Sequence, residues 1–114
     1  MDAPSDGILL RIFTGESDTW EGKSLHRALV EAAKAQGLAG ATVLQGTMGY
    51  GANSQIHTAR LVDLSPDLPI VVEIVDQEAK IQAFLPTVRA MVQEGLVTWQ
   101  RVNVILYRQR EGSR

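Results

Sequence analysis

The sequence predicts an α+β fold of the ferredoxin-like βαββαβ kind, an antiparallel four-stranded sheet with two helices on one face. Three observations carry the prediction. Apolar, β-branched runs alternate with two amphipathic stretches in the order strand, helix, strand, loop, strand, helix, strand. Each amphipathic stretch has one apolar stripe, so both need a sheet face to cover it. A length of 114 residues with 45% hydrophobic content suits a single domain over 1–114, with residues 1–6 and 111–114 expected to fray.

Residues 8–13 (ILLRIF) read as the first strand, β-branched and aromatic. Gly15, Asp18 and Gly22 make 14–22 a loop. Ser24 stands where an N-cap is needed, and Leu25, Ala28, Leu29, Ala32 and Ala33 recur at helical spacing. Gly37 fits the position after the helix, with Leu38 supplying the apolar contact that follows. Residues 41–45 are the second strand. Beyond a polar loop, 58–64 reads as a short strand or extended arm. Ser65, Pro66 and Asp67 then make a turn, because proline pre-sets φ. Residues 69–75 (PIVVEIV) form the third strand. Asp76 is placed to cap a second helix, one face of which carries Ile81, Phe84, Leu85, Val88, Met91 and Val92. Pro86 lies inside that helix and predicts a kink, since it frees a carbonyl four residues earlier. Gly95 ends the helix, and 97–108 is the last and longest strand.

Two helices cover one face of such a sheet, and the other should be polar if it meets water. The strands instead alternate apolar with apolar. Val102, Val104 and Leu106 fall on one side of the last strand, and Val97, Trp99, Ile105 and Tyr107 on the other. Ile8, Leu10 and Ile12 oppose Leu9 and Phe13, while Ile70, Val72 and Ile74 oppose Val71 and Val75. An open apolar face of that size predicts a homo-oligomer whose sheets pack together. The alternative is that residues 58–64 or the C-terminal tail fold over it.

The stretch 46–58 (GTMGYGANSQIHT) sits between the second and third strands. Its glycines permit close backbone approach, and Asn53, Ser54, Gln55 and His57 offer donors and acceptors without apolar bulk. A polar loop projecting from a sheet is a candidate recognition element. A net charge of −2 excludes general nucleic-acid binding, although Arg101, Arg108, Arg110 and Arg114 crowd the last strand and tail. With no cysteine, thiolate catalysis, disulfides and Cys-ligated zinc are excluded. The acidic start is not a signal peptide, and no apolar run approaches a membrane span. A cytoplasmic protein is therefore expected.

Dense stretches of the chain resemble the domain-of-unknown-function 190 family, a PII-like family within the nitrogen regulatory PII superfamily. They are 13–16 (FTGE), 37–43 (GLAGATV), Gly46, 49–51 (GYG), 57–58 (HT), 64–69 (LSPDLP), 73–76 (EIVD), 84–86 (FLP) and 94–97 (EGLV). The resemblance implies a ferredoxin-like fold, a homotrimer and a long loop between the second and third strands. It further implies an adenine nucleotide held in clefts between subunits. The 47–57 loop would then contact a partner protein such as a membrane transporter. PII proteins carry a glycine-rich phosphate-gripping loop between the second helix and the last strand. Here that connection is only residues 94–97, so Arg101, Arg108 and Arg110 become the expected source of phosphate-facing charge.

The candidate ligand-binding residues are Gly15, Glu16, Gly46, Gly49, Tyr50, Gly51, Ser54, Gln55, His57, Arg101 and Arg108. Backbone N–H groups of the glycine loop would form an anion nest, or the loop is a plain hairpin tip. Glu16 would accept from a ribose hydroxyl or pair with Arg101. Glu73 interrupts an apolar strand and needs a partner, for which Arg11 is the candidate. Ser54 and His57 lack an orienting carboxylate and a nucleophile elbow, so no catalytic residue and no enzyme are expected. His26 and His57 lie too far apart in sequence for metal-ligand spacing. Two alternatives to the nucleotide-binding regulator remain. One is a ligand-free trimeric adaptor, and the other is an enzyme acting across subunits through Glu16 and His57.

Overall fold

A computed structural model of the chain describes residues 5–51, 57–58 and 67–110. Its main elements are β1 (Ser5–Gly15), α1 (Leu25–Ala35), β2 (Thr42–Gln45), β3 (Pro69–Asp76), α2 (Glu78–Met91) and β4 (Leu96–Val104). The four strands form one antiparallel sheet in the order β2-β3-β1-β4. Two short ladders flank it, Thr19–Trp20 with Lys23–Ser24 and Met48–Gly49 with His57–Thr58.

Period-two alternation decides the sheet's faces. Ile8, Leu10 and Ile12 of β1 and Ile70, Val72 and Ile74 of β3 point to the helices and are buried. Leu25, Ala28, Leu29 and Ala33 of α1 and Ile81, Phe84, Val88 and Met91 of α2 close over them. Burying each larger side chain contributes on the order of 1.5–3 kcal/mol. On α1, hydrogen bonds from Lys23 and then Arg27 hold the exposed Glu31 carboxyl below the usual carboxylate range.

Several expectations are corrected. Ser5 and Asp6 do not fray but pair with Val104 and Asn103, which lengthens β1 at its start. β4 stops at Val104 rather than at residue 108, and 105–110 continue without ladder pairing among the described residues. There the Tyr107 hydroxyl donates to the Ala39 carbonyl at 3.2 Å. Asp76 does not cap α2. It ends β3 as a buried carboxylate that accepts the N–H groups of Gln77 at 2.7 Å and Ala39 at 2.9 Å. Ser24 does occupy the N-cap position of α1, but its side chain makes no capping bond. α2 runs on through Pro86, whose ring is exposed. The arm expected at 58–64 lies outside the described residues beyond Thr58, as do Ser65 and Pro66 of the turn.

The second sheet face is open and apolar among the described residues. Leu9 and Phe13 of β1, Val71 and Val75 of β3, Leu44 of β2, and Leu96, Val102 and Val104 of β4 share it. The assignment of β4 is refined by register: Trp99 pairs with Leu10 on the helix side, and Val102 pairs with Gly7 on the open side. Ile105, Leu106 and Tyr107, expected on its faces, lie beyond the strand.

Candidate functional site

A cavity of about 380 Å³ opens where β1 ends, the 49–51 segment begins and α2 turns into β4. Phe13, Pro69 and Leu96 give it apolar walls, and Gly49, Tyr50 and Gly51 form one side. Asp18, Asp67 and Glu94 supply carboxylates, and no lysine or arginine lines it among the described residues.

The turn leaving β1 explains two of these acids. Gly15 N–H donates to Asp18 Oδ2 at 2.9 Å, Ser17 N–H to Asp67 Oδ1 at 2.8 Å, and Glu16 N–H to the Leu68 carbonyl at 2.8 Å. A Cβ at Gly15 would stand 2.8 Å from Asp67 Oδ1, so this glycine lets Asp67 close over the turn. Gly46 N–H is likewise taken by the Pro69 carbonyl at 2.8 Å. The nest expected at the glycine loop therefore lacks the Gly46 donor. Glu16 is bound by Gln45 Nε2 at 2.5 Å, which ties the end of β2 to the end of β1.

Gly15, Gly49, Tyr50 and Gly51 thus come together at the cavity, with Glu16 and Gly46 beside it. Tyr50 is 70% exposed, a phenol ring held at the mouth rather than packed into the core. Arg101 stands elsewhere. It pairs with Ile8 in the sheet and donates to Glu78 at 3.0 Å, so the expected pairing with Glu16 is not made. At ~3.3 Å per residue, five positions from Ile8 to Phe13 put it roughly 16 Å from the cavity end of β1. Arg108 and Arg110 are exposed in the segment after β4. Ser54 and Gln55 lie outside the described residues; His57 pairs through its backbone with Gly49. Among the described residues, no group of three His, Asp or Glu stands where it could hold a metal ion.

The Arg11 and Glu73 pair is formed, Nε to Oε2 at 2.8 Å, because the two strands place them directly opposite. It lies on the open face rather than under the helices. The lining residues Phe13, Asp18, Asp67, Pro69, Glu94 and Leu96 were not among the candidate ligand-binding residues of the sequence. The spacing of Gly15 and Asp18 is the one local signal, since an aspartate three residues on can accept from a turn N–H. Asp67 is a long-range contact with no such signal.

Chemically the cavity is a set of acceptors beside apolar and aromatic surface. It suits hydroxyl and amino donors on a flat ring system and opposes a bare anion.

The family model for DUF190, described as "Uncharacterized ACR", matches residues 7–104. A UPF0166 protein of Aquifex aeolicus (strain VF5) is 45% identical over 97 residues, covering 85% of this chain and 91% of that protein. A Thermus thermophilus chain described as a PII-like signalling protein superposes with a TM-score of 0.64 at 20% identity, covering 92% of this chain and 94% of the other. The nitrogen regulatory PII-like protein CPII of Thiomonas intermedia K12, solved with ADP, AMP and bicarbonate, gives 0.61 at 16% identity, covering 91% and 92%. The fold is PII-like, as the sequence resemblance implies.

Proposed function

The chain belongs to the DUF190 family, and from that membership and its PII-like fold we propose a regulatory protein that binds an adenine nucleotide between copies of itself. The carrying observation is the split chemistry of the site. One end of the chain offers a ring-sized cavity with Tyr50 at its mouth and only acceptors among its charged groups. The cations suited to phosphate, Arg101 and Arg108, stand at the other end or beyond it. A second copy brings its arginines to the first copy's cavity. Base and ribose then sit against Tyr50, Phe13 and the carboxylates, and the phosphates face the neighbour.

CPII, solved with ADP and AMP, supports the ligand class. The open apolar face supports association, as a homotrimer in this reading. The protein acts by binding rather than catalysis. The 47–57 loop contacts a partner such as a membrane transporter.

Titration calorimetry with ATP, ADP, AMP and a cyclic nucleotide tests the reading. A saturable heat is expected with at least one of them. Tyr50→Ala should weaken it about tenfold, the scale of losing one base–aromatic stack. No heat and no thermal shift with any of the four contradicts the ligand class.

A further inference from the structure

At the centre of the open apolar face lies one charged pair, Arg11 with Glu73, and the sheet builds it rigidly. Arg11 is opposite Glu73 on one side and Thr98 on the other, so both side chains leave the same face. Among the described residues, the single bond from Arg11 Nε to Glu73 Oε2 leaves the two Nη groups and Oε1 without hydrogen-bond partners. The side chains are 40% and 27% exposed, so solvent now serves those atoms. Leu9, Phe13, Val71 and Val75 flank them along the strands, and Thr42 and Thr98 flank them across the sheet.

Packing this face against another would strip that water away. An ion pair so enclosed is tolerable only if its remaining donors and acceptors are met. A second copy carries the complement: a free carboxylate oxygen for the Nη groups, and Nη groups for the free oxygen. An uncharged apolar face would leave both orphaned.

We propose that the Arg11–Glu73 pair is a self-recognition element, which sets the register of sheet-to-sheet association and admits only faces with the same charge arrangement. This rests on the reading that the chain associates through the open face. Its energetic logic is specificity rather than strength, since an apolar pair of the same volume would pack as well or better.

The test is subunit exchange followed by native mass spectrometry, using heavy-isotope and light copies. Wild type mixed with wild type should reach the statistical distribution. The charge-swapped variant Arg11→Glu/Glu73→Arg keeps an internal pair and should assemble with itself. Mixed with wild type, it sets like charges against each other, and mixed assemblies should fall at least about tenfold below the statistical level. Mixing at the statistical level overturns the proposal. If the swapped chain does not assemble, Arg11→Leu is compared with Arg11→Leu/Glu73→Leu. The single variant leaves a lone carboxylate and should dissociate at a concentration at least about tenfold higher than the double. Equal assembly of the two also overturns the proposal. A wild type that is single-copy throughout contradicts the association reading itself, an outcome separate from both.

Discussion

Gly95 shows how one residue decides the geometry of the cavity. Its φ is +151°, and a Cβ there would stand 2.5 Å from the Phe13 carbonyl oxygen, a backbone atom that cannot swing aside. The connection from α2 to β4 therefore lies against β1, and this close approach brings Glu94 and Leu96 to the cavity. Gly95→Ala should destabilise the fold by about 2 kcal/mol or more, read as a fall in the urea midpoint. An unchanged midpoint contradicts that account of the connection. The sequence marked Gly95 only as a helix end, because the penalty comes from a strand more than eighty residues earlier. Glu31 illustrates the opposite case. Its lowered pKa means that ionic stabilisation is present above the ordinary carboxylate pKa of 4.5 and is lost as pH falls through the lower folded value. Because the group is exposed and solvent-screened, the effect is small.

Among the elements, β3 and α2 meet at Asp76, which also fastens the connection between α1 and β2 through the Ala39 N–H. One buried carboxylate thus holds two connections at the same end of the sheet. Asp76→Ala should cost about 1–3 kcal/mol by leaving two N–H groups without their acceptor. Thermal unfolding measures it, and a variant as stable as the parent rules the fastening out. The strands and helices themselves were legible, β3 as a nearly continuous apolar, β-branched run and α2 by its helical apolar period. The termini of β1 and β4 were not. Ser5 and Asp6 carry no apolar signal and become strand only because β4 runs alongside, while the apolar residues from Ile105 to Tyr107 have no ladder partner among the described residues. The Arg11 and Glu73 pair was legible, since both charges interrupt strand centres and register then aligns them.

For the whole molecule, the balance lies between the two faces of one sheet. The helix side is closed by α1 and α2, with Phe84 and Leu29 fully buried. The opposite side leaves Leu44, Val75 and Leu96 between 38% and 57% exposed in the single chain, which is a surface another copy would remove from water. The candidate site divides the same way. Its glycines and Tyr50 could be found from the sequence, since a glycine-rich loop after a strand is a local pattern. The convergence of Asp18, Asp67 and Glu94 could not, because they come from three separate connections. The distance between cavity and arginines follows from the sheet's length and is invisible in a linear reading. In the proposed function, association between copies joins these halves, so it underlies both the nucleotide reading and the role given to Arg11 and Glu73. Light scattering on the purified chain at micromolar concentration tests it most directly. The account predicts a mass near three times the 12.4 kDa of one chain. A stable, well-folded species at the mass of a single copy contradicts it.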